Sequence, residues 1–186
     1  MPRKIKQPAF PLDAPLFPTA KVAAVSGLSR PMVDVWISEG RLEPTWREPA
    51  QSRPKGRGRK GQGRPMFSSA AIFKVTLALE LRQHLGIGLS EWIRLSNIDE
   101  MANRVAGGNW MWAVARGVEN DKPFKLYTFA TYRDSDWVFD MQLGDENKTP
   151  LFGRDVPYLV IPTYRIYEKV YVECKKLLGI TTGEGV

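Results

Sequence analysis

The densest set of chemically active side chains in this sequence lies in a glycine-rich segment, residues 53–64, with six positive charges and no acidic residue. Its cations are Arg53, Lys55, Arg57, Arg59, Lys60 and Arg64. The segment has no large apolar side chain whose burial could offset the entropy lost on ordering its backbone, and its charges need water or counter-charges. Because clustered cations neutralise phosphates whatever the sequence, they predict contact with the backbone of double-stranded DNA.

This segment has two other interpretations. Residues 56–61 match the Gly-x-Gly-x-x-Gly pattern of dinucleotide-binding folds, but that pattern follows an apolar strand and opens an apolar helix. Here Pro54 and Pro65 flank it instead, so we regard the match as accidental. A solvated basic loop without a dedicated ligand is the remaining alternative. The position of the segment directly after two predicted helices favours contact with DNA.

Positive charge is concentrated in the first part of the chain. Residues 1–107 contain 17 Lys and Arg against 9 Asp and Glu, a net +8, and residues 108–186 contain 10 against 11, a net −1; together they give +7. No apolar run approaches the roughly 20 residues of a membrane-spanning helix, and the first residues lack the apolar stretch of a signal peptide. We therefore expect a cytoplasmic protein without a membrane partner; its expected association with the nucleoid and its expected bacterial or phage origin are implied by the resemblance described below.

Catalytic and metal-binding patterns are absent from the sequence. Cys174 is the only cysteine, so an intrachain disulfide or a cysteine-rich metal site is excluded. No nucleophile has a recognisable partner base, and His84, the only histidine, is predicted to lie at the surface. We expect a protein that is not an enzyme and that has no cofactor and no metal.

Two short helices are predicted before the basic segment. Thr19 is placed to cap a helix over residues 20–25, and Gly27 supplies the positive φ that ends it. Ser29 then caps a second helix, in which Pro31 is tolerated because the first-turn N–H groups have no partner within the helix. The second helix is predicted to bury one stripe of side chains: Val33, Trp36 and Ile37.

The opposite face of the second helix is the predicted base-reading surface. With two side chains of the first helix, the predicted contact residues are Thr19, Lys21, Ser29, Arg30, Pro31, Asp34 and Ser38. Asp34 could accept a hydrogen bond from a cytosine amino group. An ion pair with Arg30, four residues earlier on the same face, is the alternative that we favour.

The order of these pieces carries a family resemblance. Residues 17–29 (FPTAKVAAVSGLS), 33–44 (VDVWISEGRLEP) and 64–68 (RPMFS) together resemble the opening of MerR-like winged-helix DNA-binding domains. The resemblance covers residues 17–105 and implies two helices, a two-stranded wing, and a return to helix after the Arg-x-aromatic-Ser step. The cysteine clusters of the metal-sensing branch and the long dimerisation helix are missing.

The resemblance makes residues 46–67 the wing. Trp46 and Phe67 are expected to pair near the bases of its strands, and the glycines at 56, 58, 61 and 63 are expected to let a mobile tip approach a groove wall. The predicted wing contacts are Arg47, Arg53, Lys55, Arg57, Arg59, Lys60 and Arg64.

The rest of the first half is predicted to be helical. Ser68 or Ser69 is placed to cap a third helix that runs to about residue 85, and apolar spacing predicts further helix over residues 90–105. This gives three regions: a flexible, proline-rich arm over residues 1–17, a DNA-binding domain over 18–106, and a second domain over 107–186.

The second domain is predicted to be a small antiparallel sheet with a terminal helix, so the fold class is α+β. Strands are expected over residues 110–116, 125–132, 137–143 and, buried, 158–161. A helix that starts after Pro162 and ends at Gly179 is expected to cover one sheet face and to bury Cys174 as an inert thiol. The eight aromatic residues over 110–139 are expected to form core and dimer contacts, with a small-molecule pocket as the alternative.

Together these patterns predict a homodimeric, sequence-specific double-stranded DNA-binding protein that regulates transcription. Residues 108–186 are expected to dimerise, to bind an effector or to contact another protein. The alternative is an architectural DNA-binding protein of a mobile element or phage, either a recombination directionality factor or a small packaging subunit.

Overall fold

The computed structural model describes residues 5–49, 63–86, 98–134, 136–144, 148, 150–151, 153 and 155–180, and these fold into helices and small antiparallel sheets. The predicted α+β class is therefore confirmed. The chain divides into two compact units: a first unit of Phe10–Trp92 with Val170–Val186, and a second unit of Met1–Ala9 with Ile93–Lys169. These divisions differ from the predicted boundary after residue 106. In the described part of the chain, no helix is both long and apolar enough to cross a membrane.

The described part of residues 10–92 in the first unit forms three helices and a three-stranded sheet. In chain order it contains β1 (Phe17–Pro18), α1 (Thr19–Ser26), α2 (Arg30–Ser38), β2 (Trp46–Glu48), β3 (Arg64–Phe67) and α3 (Ser69–Leu85). The sheet order is β1-β3-β2, with antiparallel pairing throughout. Trp46 lies opposite Met66, and Phe67 lies opposite Phe17, so the predicted pairing of Trp46 with Phe67 is wrong by one residue.

The start of α3 is fixed by polar side chains. The Ser68 hydroxyl accepts a hydrogen bond from the Ala71 N–H at 3.3 Å, which confirms the predicted cap. The Ser68 N–H in turn donates to Thr45 Oγ1 at 3.0 Å. These bonds attach the loop before β2 to the first turn of α3, beside the fully buried Phe67, Ile72 and Phe73.

Three apolar side chains within residues 10–17 belong to the core of the first unit. Phe10, Leu12 and Phe17 are all buried, and the Ser69 hydroxyl donates a hydrogen bond to the Leu12 carbonyl at 2.9 Å. Phe10 stacks on Tyr171, with ring centroids 5.2 Å apart. The prediction of a flexible arm therefore fails over residues 10–17, because these apolar side chains have tertiary partners that the local sequence does not indicate.

The second unit contains a second three-stranded antiparallel sheet. Its elements are α4 (Ile98–Ala106), α5 (Trp110–Glu119), β4 (Leu126–Arg133), β5 (Asp136–Leu143), β6 (Leu159–Ile161) and the first turns of α6 (Thr163–Leu177), in which the two units divide. The sheet order is β5-β4-β6. Arg133 pairs with Asp136, so the predicted hairpin between β4 and β5 is confirmed.

Residues 110–116 form a helix and not the predicted strand. The side chain of Asn109 caps α5 by accepting a hydrogen bond from the Trp112 N–H at 3.0 Å. Trp110, Met111, Val114 and Ala115 are buried, which is the i, i+1, i+4, i+5 spacing of one helix face. Bulky apolar and polar residues also alternate over this short segment, as they do in a strand. The sequence pattern alone therefore does not distinguish the two-residue period of a strand from the 3.6-residue period of a helix.

The sheet of the second unit is covered on both faces along its central strand. Residues 126–131 of β4 are buried without alternation, so the prediction that one face is covered was incomplete. The edge strand β6 is exposed to solvent: Leu159 is 47% exposed. The prediction that this strand is buried is therefore wrong. The Thr163 hydroxyl, at the start of α6, lies 2.6 Å from that of Thr128 in β4.

Candidate nucleic-acid interface

The turn between α1 and α2 is fixed by backbone conformation. Gly27 has φ 80°, and its N–H donates to the Ala23 carbonyl at 3.0 Å, which closes α1 as predicted. The Ser26 hydroxyl donates to the Val22 carbonyl at 2.8 Å and accepts from the Leu28 N–H at 3.4 Å. These bonds hold the end of α1 and the start of the turn.

The second helix buries the predicted side. The Ser29 hydroxyl accepts a hydrogen bond from the Met32 N–H at 3.4 Å, which confirms the predicted cap. Val33 and Trp36 are fully buried and Ile37 is half-buried. The helix ends where the N–H groups of Arg41 and Leu42 donate to the Trp36 carbonyl at 2.9 and 3.1 Å.

The outward face of α2 carries the five residues that were predicted for it. Ser29, Arg30, Pro31, Asp34 and Ser38 are all exposed. Among the described ion pairs there is none between Arg30 and Asp34, so the favoured local pairing is wrong. Their charges remain available to an external partner.

Two apolar residues of this face were missed by the sequence interpretation. Met32 is 41% exposed and Val35 is 43% exposed. At 100° per residue, Val35 is rotated about 200° from the buried Val33, which places it opposite the buried stripe, between Pro31 and Ser38. This angle can be counted from the sequence, but neither the predicted buried stripe nor the predicted outward face includes Met32 or Val35.

The predicted contacts on α1 have different outcomes. Lys21 is exposed. Thr19 is the first residue of the helix and is 8% exposed, while Pro18 occupies the N-cap position, so the predicted Thr19 cap is wrong by one residue. A buried Thr19 side chain has a packing role, and we exclude it from the candidate interface.

The strands β2 and β3 supply two further exposed cations, Arg47 and Arg64. Glu48 lies opposite Arg64 in the ladder, so the sheet end has mixed charge. A Cβ on Gly63 would lie 2.0 Å from the Glu48 carbonyl oxygen. The absence of a side chain at position 63 therefore permits a close approach of the chain just before β3 to the end of β2.

The other predicted wing residues belong to the connection between β2 and β3. Five predicted contacts, Arg53, Lys55, Arg57, Arg59 and Lys60, lie outside the described residues, as do the glycines at 56, 58 and 61. The strands on either side of this segment, β2 and β3, are described and pair in antiparallel fashion, so the segment that holds these cations connects two antiparallel strands.

Four described cations of the candidate interface have no carboxylate partner. Within the described part of the chain, Lys21, Arg30, Arg47 and Arg64 are exposed and form no ion pair within 4.0 Å. Arg41 differs, because its Nε lies 3.0 Å from Glu39 Oε2. Unpaired exposed cations are available to neutralise phosphates, while a helix fits the width of the DNA major groove.

Other chemistry has little support in the described residues. No group of three or more His, Cys, Asp or Glu among them could hold a metal ion. His84 lies at the surface, as predicted, and its Nε2 is 3.3 Å from Glu80 Oε2 on the same helix. Cys174 is fully buried, and burial raises the pKa of its thiol to about 12, so it is a poor nucleophile.

Comparisons with known proteins do not assign this chain: no protein-family model matches it, and no curated protein shows significant similarity to it. Its function is therefore inferred from the residues themselves.

Proposed function

We propose that the chain is a sequence-specific, double-stranded DNA-binding protein that regulates transcription, and that its first unit is a MerR-like winged helix-turn-helix. The observation that carries this proposal is the outward face of α2. Ser29, Arg30, Pro31, Asp34, Val35 and Ser38 are exposed on a helix whose opposite side is held by Val33 and Trp36. A rigidly supported helix with a mixed polar and apolar outer face is suited to reading base edges.

The positions of the cations indicate which residues supply affinity for DNA and which select its sequence. Lys21, Arg47 and Arg64 are exposed cations around this helix, and the six cations of residues 53–64 lie in or next to the connection between β2 and β3. Phosphate contacts fix position and affinity, whereas base-edge contacts select sequence. We therefore assign affinity to these cations and sequence choice to α2.

The centre of the α2 face favours thymine. Val35 and Pro31 are exposed there, and Met32 lies beside them. In the major groove the only apolar group on a base is the C5-methyl of thymine, which packs against apolar side chains. The carboxylate of Asp34, which has no ion pair with Arg30, is in turn suited to accept from a cytosine amino group.

The proposal includes a homodimer that acts in the cytoplasm on a two-fold DNA site. The proposed dimer rests on the fact that helix-turn-helix proteins commonly bind paired half-sites as dimers. Sedimentation equilibrium of the free protein and of its DNA complex tests it directly. Two chains per bound duplex are expected, and one chain on a full-length site would contradict it.

The salt dependence of DNA binding tests the assignment of the basic segment. Replacing Arg57, Arg59 and Lys60 by Ala should weaken binding to all duplexes and reduce the slope of log K against log salt by about 0.9 for each lost phosphate contact. Arg82, Lys125 and Lys169 provide a matched control, because they are exposed and lie outside the candidate interface. Equal slopes in the two triple variants would contradict the assignment.

Mapping of bound sites in cells distinguishes transcriptional regulation from an architectural role. Sites at promoters are expected. Sites confined to attachment or packaging sequences would instead favour a recombination or packaging factor.

A further inference from the structure

The second unit contains an open cleft of about 850 Å³, lined by residues outside the candidate DNA interface. Its walls come from one side of α5, from the turn that follows α5, and from residues 5–6. The residues that matter here are Ile5, Lys6, Trp112, Arg116, Lys122 and Phe124. Small-molecule sites in proteins commonly have a volume of about 300–1,000 Å³, so the cleft is of suitable size.

The cleft is held in shape by the chain around it. Asn120 joins two walls: its Oδ1 accepts from the Lys6 N–H at 2.8 Å, and its Nδ2 donates to the Lys6 carbonyl at 2.8 Å and the Arg116 carbonyl at 2.7 Å. A Cβ on Gly117 would lie 2.6 Å from the Lys122 carbonyl oxygen, so the turn packs tightly on the helix. These contacts indicate a site that exists before a ligand arrives.

Apolar surface is uncovered inside the cleft. Trp112 is 36% exposed and Ile5 is 59% exposed, and Phe124 is half-buried. Aromatic and aliphatic surface in a concave site is stabilised by a flat apolar ligand, since ring stacking adds to the burial of area.

The polar groups of the cleft favour a negative charge on that ligand. Lys6, Arg116 and Lys122 outnumber the lining acids Glu119 and Asp121. The Arg116 guanidinium lies over the Trp112 ring, 5.0 Å from its centroid, and no described carboxylate is within ion-pairing distance of it. A guanidinium positioned on a ring keeps its N–H edges available to donate two parallel hydrogen bonds to two oxygens of one anion, such as a carboxylate or a sulfonate.

We propose that this cleft binds a small aromatic acid, with its ring system against Trp112 and Phe124 and its carboxylate or sulfonate on Arg116. This site is independent of the proposed DNA contact. Failure of either proposal leaves the other intact.

Two fluorescent probes of the same shape test the site in the full chain. 1-Anilinonaphthalene-8-sulfonate carries the anion, and N-phenyl-1-naphthylamine has the same ring system without it. We expect saturable binding of the sulfonate at one site per chain, and a loss of about tenfold in its affinity in Arg116→Gln, with little change for the neutral probe. Arg116→Lys should retain part of the affinity, and Arg82→Gln, in the first unit, should retain all of it.

The aromatic wall has its own variants. Trp112→Leu and Phe124→Leu should each weaken binding of both probes, with circular dichroism as the check that the fold is kept. Unchanged binding of the sulfonate in a folded Arg116→Gln variant would overturn the proposal, because Arg116 is the proposed partner of the anion. Unchanged binding of both probes in a folded Trp112→Leu variant would also overturn it.

Discussion

Replacement of Gly63 by Ala is the sharpest single-residue test of the strand geometry beside the proposed DNA-binding helix. Its Cβ would lie 2.0 Å from the carbonyl oxygen and 2.9 Å from the carbonyl carbon of Glu48. Ordinary contact begins at about 3.4 Å, so the strands would have to separate by roughly 1.4 Å. Both sides of this contact are backbone, which cannot rotate away as a side chain would.

The expected cost follows from that displacement. Overpacking in a well-packed region costs about 1–3 kcal/mol, and each ladder hydrogen bond that is lost adds about 1 kcal/mol. We therefore expect Gly63→Ala to lower the free energy of unfolding by about 2–5 kcal/mol. Gly63 does not have a positive φ, so backbone strain adds nothing to this figure.

Urea unfolding at 25 °C measures this change, with Gly179→Ala as the control. Gly179 has φ 68°, and a Cβ added there would have no atom within 4 Å, so its substitution costs only backbone strain, about 1–2 kcal/mol. A loss below about 0.5 kcal/mol in Gly63→Ala would refute the close approach of β3 to Glu48.

Four further predictions concern caps, core, titration and base contact. Ser68→Ala removes the cap of α3 and should lower the free energy of unfolding by about 1 kcal/mol; a neutral result by urea unfolding would contradict the cap. Phe10→Ala should cost about 3–5 kcal/mol in the same assay because the ring is buried on Tyr171, whereas a flexible arm would give no change. Burial first, and a neighbouring acidic charge second, raise the pKa of Cys174 from 9.0 to about 12, so the unfolded chain ionises first as the pH rises. The contribution of Cys174 to the free energy of unfolding should then fall between pH 9 and 12, by on the order of 1 kcal/mol per pH unit, and this part of the pH dependence should be missing in Cys174→Ala. Val35→Ala should reduce the preference for thymine over uracil in a selected duplex, and equal preferences in variant and wild type would remove Val35 from the base-reading face.

The local features of the fold could be predicted because their causes are local. The caps at Ser29 and Ser68 and the ends at Gly27 and Gly179 each depend on one residue and its immediate neighbours. The β4–β5 hairpin was likewise indicated by β-prone runs on both sides of Asp134, which has φ 53°.

The features that failed depend on partners far away in the sequence. Phe10 is ordered by Tyr171, 161 positions later, and no pattern near Phe10 reports that contact. The apolar spacing of residues 110–116 fits both a strand and a helix, and packing of Trp110 on Tyr167, at 5.5 Å, favours the helix. The position of Val35 on the outward face follows from its angle around the helix, about 200° from Val33, although its residue type is typical of a core.

Selection of bound sequences from a random duplex library tests the central claim most directly. The proposal predicts that one sequence is enriched, that it is bound at least about 10³-fold more tightly than random duplex at physiological salt, and that Arg30→Ala changes which sequence wins. A bound pool that stays random in sequence, with one affinity for all duplexes, would contradict sequence-specific recognition by α2.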